Sequence, residues 1–129
     1  MNIDKSQLVT GEIADYFLDR SSGILYSYSK NIRRTVTNIS GNIRLVKEIT
    51  GGRPVPLLIH LCNSPVPDRE TRRYSATQLP HVYKAMAMVS EPGLSSLIMS
   101  LLFRFRKPPI PMRAFTDEDK ARAWLLQFC

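Results

Sequence analysis

The sequence predicts an α/β fold: a mostly parallel sheet with an N-terminal hairpin and helices covering it, in the order β-β-α-β-α-β-α-β-α. Three observations carry this. Tyr16-Phe17-Leu18 and Ile24-Leu25-Tyr26-Ser27-Tyr28 are strand-favouring runs separated by the turn-like Arg20-Ser21-Ser22-Gly23, the pattern of a hairpin. Leu57-Leu58-Ile59-His60-Leu61 is continuously apolar rather than alternating, as expected of a strand covered on both faces. From there on, helix-like and strand-like patterns alternate, which implies parallel strands joined by crossover helices.

Residues 1–129 read as one domain, with 1–12 a loosely held lead-in. After the hairpin, Ile39, Ile43, Val46 and Ile49 recur at intervals of four, three and three, on one face of a helix. Thr37 is its expected cap and Gly51-Gly52 its left-handed stop, while Gly41 weakens it slightly. Pro54 and Pro56 lead into the apolar strand, and Pro65 and Pro67 end it. Asp68 caps a polar helix from Arg69 to about Leu79, which Pro80 is expected to stop. Residues 83–89 form the next strand. Ser90-Glu91-Pro92 opens a helix with a broad apolar stripe of Leu94, Leu97, Ile98, Leu101, Leu102 and Phe105. Arg104, Arg106 and Lys107 suit its C-terminal dipole, and Pro108-Pro109 forbids continuation. Met112-Arg113-Ala114-Phe115 is the last strand. Thr116 is the expected cap of the last helix, with Asp119 completing a capping box, and Ala121, Trp124, Leu125 and Phe128 form its buried face.

A chain of 129 residues suits a single domain and buries enough surface to need no disulfide or metal staple. Its 43% hydrophobic content excludes a disordered chain. No apolar run approaches the roughly 20 residues of a membrane-spanning helix, and residues 1–7 lack the apolar core of a secretory signal. Integral membrane association is therefore not expected. Cys62 and Cys129 make no disulfide framework, so a reducing cytoplasm is the expected location. The net charge is +7 and the pI about 9.8. Between Arg20 and Arg113 there are 15 Lys/Arg against 4 Asp/Glu, a field that favours acidic partners, an acidic protein among them.

No motif points to catalysis. His60 and Cys62 stand two apart on a strand and so share a side, but with His81 they make no zinc spacing; a strand-end histidine and a small buried thiol are the ordinary reading. No G-x-S-x-G and no paired carboxylates mark a nucleophilic or acid–base site. Gly51-Gly52-Arg53 ends a helix rather than opening one, so it is a cap and not a phosphate loop. Arg33, Arg34, Arg69, Arg72 and Arg73 lack the stacking aromatics usual in single-strand nucleic-acid binders, and Tyr26, Tyr28 and Tyr74 are the available candidates. Arg113 stands on a short strand, where a salt bridge to Asp117 or Glu118 is its ordinary expected role. No metal or other cofactor is expected.

The string Lys107-Pro108-Pro109-Ile110-Pro111-Met112-Arg113-Ala114-Phe115-Thr116-Asp117-Glu118-Asp119-Lys120-Ala121-Arg122-Ala123-Trp124-Leu125 resembles the end of an uncharacterised bacterial branch of the STAS, or SpoIIAA-like, family. Gly51-Gly52-Arg53-Pro54-Val55-Pro56-Leu57-Leu58-Ile59 resembles its helix-to-strand passage, and Arg69-Glu70-Thr71-Arg72-Arg73-Tyr74 its following helix. The resemblance covers about residues 16–128 and implies a SpoIIAA-like fold. In the better understood members it implies binding of a partner kinase and a switch by phosphorylation of a serine at a helix start. Here the corresponding loop reads Cys62-Asn63-Ser64-Pro65-Val66-Pro67-Asp68, without the Asp-Ser-Ser/Thr-Gly string, so the switch does not carry over.

The expectation is a non-enzymatic regulatory or protein-interaction module, forming a homodimer through Leu101, Leu102, Phe103 and Phe105. The alternative is a binder of a small anionic or lipid-like ligand, with Ser64, Asp68, Arg69, Arg72, Arg73 and Arg113 as candidate ligand or partner contacts. Nucleic-acid binding through the basic surface is a weaker alternative.

Overall fold

Asp19 organises the first tight turn. Its carboxylate accepts from the Ser21 amide, the Ser21 hydroxyl and the Ser22 hydroxyl at 2.7–3.1 Å. These bonds, that of the Ser21 hydroxyl foremost, hold the Asp19 carboxyl below its usual range. Gly23 completes the turn at a φ of 82°. The turn joins β2 (Ala14–Leu18) to β3 (Leu25–Ser29), antiparallel, with Phe17 opposite Tyr26. The structure, a computed structural model, describes residues 7–91 and 108–129.

A two-residue strand, β1 (Val9–Thr10), pairs antiparallel with β2, inside the stretch that reads as a lead-in. Both its residues are exposed, so no alternation announces it. Parallel strands follow: β4 (Val55–His60), β5 (Tyr83–Val89) and β6 (Met112–Phe115). The result is a mixed six-stranded sheet whose order, β1-β2-β3-β4-β5-β6, is the order of the chain. Pro56 is tolerated inside β4 because the pairing with β5 slips between Val55 and Pro56, where a missing N–H is least damaging.

Three helices lie among the described residues. α1 (Val36–Thr50) is capped by Thr35, not Thr37. Thr35 and Asn38 exchange side chain-to-backbone bonds in a reciprocal box, which Thr37, one turn position inside, cannot make. Gly51, at φ 71°, supplies the left-handed cap. α2 (Arg69–Val82) starts at Asp68 as expected but runs through Pro80 instead of stopping there. Pro80 falls in the last turn, and the closing bond from the Tyr83 amide to the Leu79 carbonyl survives it; Leu79 and Val82, both buried, hold the turn in place. α3 (Glu118–Leu125) is capped by Asp117, whose carboxylate accepts from the Asp119 amide at 2.9 Å; Thr116 and a box with Asp119 play no part. A short 3-10 turn, Leu126–Phe128, follows.

The sheet is covered on both faces. α1 and α2 lie on one, where Val46, Leu79 and Val82 meet Tyr16, Leu25, Leu57, Met86 and Met88. α3 lies on the other, where Ala121 and Leu125 meet Ile24, Tyr26, Leu58, Ala85, Ala87 and Val89. The small Ala85 and Ala87 let α3 settle close to β5. Ala121, Trp124, Leu125 and Phe128 all contribute to that core, the first and third fully buried. The helix expected after Pro92, and with it the dimer surface expected at Leu101, Leu102, Phe103 and Phe105, lies outside the described residues. No helix among the described residues is long and apolar enough to cross a membrane.

Candidate functional site

On the α1–α2 face the two helices leave a cleft above the sheet. It consists of two chambers of about 160 and 130 Å³ that share Ser29, Arg34, Ile39, Ile59 and Ser75. The inner chamber has an apolar wall including Ile43, Leu57, Leu79, Val82 and Met86. The outer one is bounded by Leu61, Cys62, Ser64, Pro65, Pro67 and Arg72. For scale, an apolar cavity of about 150 Å³ accommodates benzene.

Arg34 stands where the chambers meet. The loop between β3 and α1 brings it there, and three carbonyls fix it: its Nη1 donates to Lys30 O and to Ile32 O (2.6 Å), its Nη2 to Ile13 O (2.9 Å). Burial pulls its pKa below the usual arginine range, an effect opposed by the neighbouring Cys62 and Tyr16. An arginine keeps its charge under such conditions. Among the described residues no carboxylate pairs with it, whereas nearby Lys30 pairs with Asp15 at 3.0 Å. A cation on the wall of a mainly apolar cleft, without a counter-ion, is suited to a ligand anion.

The lining of the inner chamber includes polar groups as well. Asn42 Nδ2 donates to the Tyr16 hydroxyl, and the Ser27 and Tyr83 hydroxyls lie close enough to favour ionised Tyr16. Burial outweighs them and raises the pKa of Tyr16; it raises that of Tyr83 further. Asn42 Oδ1 is buried and has no hydrogen-bond partner among the described residues. Ser27 and Tyr16 are 1% and 2% exposed, so these polar groups belong to the interior and not to the surface.

The sequence candidates divide around this cleft. Ser64 and Arg72 line it. Arg72 Nη1 donates to Pro67 O at 2.9 Å, and its charge helps hold Asp68 in the ionised form. Asp68 is itself the α2 cap, accepting from the Thr71 amide at 2.8 Å, so the helix start is already supplied with an anion. That hydrogen bond, before any other cause, lowers the Asp68 pKa. Arg69 and Arg73 are exposed and do not line the cleft. Arg113 is on β6, away from them; it lies over the Phe115 ring, 5.3 Å from its centroid, and forms no ion pair with Asp117 or Glu118 among the described residues. Glu118 is engaged elsewhere, which is the reason.

His60 and Cys62 do not share a side. Cys62 lies past the end of β4, where the pleat no longer governs direction, and lines the outer chamber. His60 faces α3. Its ring stacks on Tyr28 (centroids 4.8 Å apart, planes 5° apart), and its Nε2 lies 2.8 Å from Glu118 Oε1. Glu118 also meets Arg122 at 3.8 Å, and Arg122 Nε donates to the Tyr26 hydroxyl at 3.0 Å. Burial, with the Glu118 charge next, pushes the Tyr28 phenol up to about 12. Beside this network a polar hollow opens at the carboxyl ends of β4, β5 and β6, lined by His60, Ser90, Glu91 and Thr116 among others.

Sequence reasoning missed Tyr16, Ser27, Asn42 and Tyr83, and placed Arg34 on a basic surface. One signal was present: Leu25, Ser27 and Ser29 share a face of a central strand, and two serines at core-facing positions mark a polar recess. The His60–Glu118 contact spans 58 residues, beyond the reach of any local pattern.

The family described as Domain of unknown function (DUF7793) matches residues 17–129 of the chain. The chain belongs to this family. The DUF7793 match begins within β2 and takes in both helices of the cleft, Arg34 and the α3 network. No curated protein and no solved structure matches the chain.

Proposed function

We propose that this DUF7793 protein is a small-ligand-binding module, taking an anionic molecule with an apolar body into the cleft between the sheet, α1 and α2. The supporting observation is Arg34, a guanidinium held by three carbonyls on the cleft wall with no carboxylate paired to it among the described residues. Arg72 and Ser64 extend the polar mouth. The reading needs no cofactor and no catalytic group. Calorimetric titration with benzoate and octanoate tests it, in the wild type and in Ser75→Phe. Ser75 borders both chambers, so a phenyl group there fills the cleft while Arg34 stays in place. Binding by the wild type and its loss in a folded Ser75→Phe variant is the expected result. Absence of binding to either anion, or equal binding by the variant, refutes the cleft as the site.

A protein-interaction module, as the SpoIIAA-like resemblance implies, is the second reading. Leu126, 51% exposed beside the half-buried Trp124 and Phe128, favours it by offering apolar surface at the end of α3. Leu126→Asp is expected to abolish capture of a specific, nuclease-resistant partner; unchanged capture removes that surface from the argument.

A further inference from the structure

The outer chamber gathers two cations. Arg34 and Arg72 both line it, and among the described residues no carboxylate does. A guanidinium carries five N–H groups on three nitrogens. Arg34 spends Nη1 and Nη2 on three carbonyls, which leaves Nε without an acceptor among the described residues. Arg72 spends only Nη1, on Pro67 O, which leaves Nε and Nη2. None of these three nitrogens is a buried donor lacking a partner, so all three are open to solvent. Ser29 at the end of β3, Ser64 in the loop after β4 and Ser75 on α2 line the same chamber, and their hydroxyls are likewise neither buried nor bonded within the described chain. Neither arginine forms an ion pair among the described residues. Asp68 feels the charge of Arg72, but its carboxylate caps α2 and does not line the chamber.

Two guanidinium groups and three hydroxyls around about 130 Å³ offer more than one carboxylate can use. A carboxylate brings a single charge and two oxygens, and would leave one guanidinium without a counter-charge. A phosphoryl group on a monoester brings nearly two charges and three oxygens at neutral pH, and arginine forks suit it. We infer that the ligand is a small phosphomonoester, its phosphoryl group in the outer chamber on Arg34 and Arg72 and its apolar body in the inner chamber. This rests on the cleft reading above and adds the chemistry of the anion. The inner chamber, about 160 Å³, adjoins the outer one at Arg34 and Ser75 and has room for a body of about one ring.

The test is calorimetric titration of the full chain with phenyl phosphate, benzoate and inorganic phosphate at pH 7.5 and one ionic strength. Phenyl phosphate is expected to bind at least about tenfold tighter than benzoate, the effect of one added charge-assisted bond, and inorganic phosphate more weakly than phenyl phosphate. In Arg72→Met the preference is expected to shrink to within about threefold. Ser64→Ala, a smaller change, should weaken phenyl phosphate more than benzoate and serves if Arg72→Met does not fold. Benzoate binding as tightly as phenyl phosphate, or a preference left intact in both folded variants, overturns the phosphoryl assignment and leaves the cleft reading standing. Inorganic phosphate binding as tightly as phenyl phosphate overturns the assignment of a body to the inner chamber. Failure of phenyl phosphate and benzoate alike to bind overturns both the phosphoryl assignment and the cleft reading.

Discussion

Arg34 holds the loop before α1 as well as facing the cleft, and replacing it with methionine measures the first of these roles. The methionine keeps much of the apolar stem and removes the donors. Three hydrogen bonds are lost, to Lys30 O, Ile32 O and Ile13 O. The Ile32 carbonyl is exposed and regains water, so it contributes little. The other two bonds are partly buried, and a bond from a charged donor contributes about 1.5–3 kcal/mol. Against their sum stands the relief of no longer burying a guanidinium, which takes back a substantial part. A net loss of about 2 kcal/mol follows, a sizeable share of the roughly 5–15 kcal/mol of a typical domain. With a urea m-value of about 2 kcal/mol/M for a chain of this size, the unfolding midpoint falls by about 1 M. The assay is urea unfolding followed by circular dichroism and by Trp124 fluorescence, which together check for a single transition. Arg34→Lys is expected to fall by a similar amount, since one ammonium cannot span three carbonyls. A midpoint within about 0.2 M of wild type for Arg34→Met would refute the reasoning, because the carbonyl bonds would then not be what positions the cation.

Four further outcomes follow from the geometry. Leu58→Ala, emptying a fully buried position beneath α3, is expected to destabilise by about 3 kcal/mol in the same assay. A double-mutant cycle with His60→Ala and Glu118→Ala, both sites being roughly one-quarter to one-third exposed, is expected to give a coupling near 1 kcal/mol, and a value indistinguishable from zero would remove the pair as a tie between β4 and α3. Gly11→Ala places a Cβ 2.6 Å from Ala14 O and 2.9 Å from a Leu45 methyl, so it should destabilise by about 1–3 kcal/mol and open the β1–β2 turn, seen as fast exchange of the residue 11 amide, which in the wild type donates to Ala14 O. Four tyrosines, Tyr16, Tyr26, Tyr28 and Tyr83, have raised pKa values. The folded state therefore favours their neutral form. The stability this contributes is complete below about pH 10 and declines as pH rises, for Tyr28 through about 12. Absorbance at 295 nm should show fewer phenolates at pH 11 in the folded chain than in the chain unfolded in urea; equal absorbance would contradict their burial.

The elements that the sequence made legible are those with strong local signals. The β2–β3 hairpin follows from Gly23 and the serine-rich turn, β4 from the continuous apolar run at Leu57–Leu61, and the α1 stop from Gly51-Gly52. The errors are ones of competing local chemistry. Thr35 and Thr37 are equivalent as residue types, and only the position of Asn38 decides between them. Pro80 looks terminal by propensity, yet burial of Val82 carries the helix past it. The cleft was only partly legible. Ser64 stands out in a proline-rich loop and Arg72 in the helix it leads into, but Tyr16 and Tyr83 look like ordinary strand aromatics until β2 and β5 turn them to the face that α1 and α2 cover. Arg34 looked like surface charge because its three acceptors are backbone carbonyls, which a sequence does not display.

Strand order that equals chain order has a consequence for how the protein comes to exist. Each strand lies beside the one made before it, so a chain emerging from synthesis can add strands to a growing edge without waiting for a distant segment to be threaded between two others. The cleft is complete once α2 and the start of β5 have been added, because none of its lining residues lies beyond Met86. The α3 network, by contrast, must await the last dozen residues, when Glu118 and Arg122 close over His60 and Tyr26. A nascent chain of this protein thus acquires its pocket before its second layer, and a ligand present during synthesis would meet a formed site on a sheet whose opposite face is still bare.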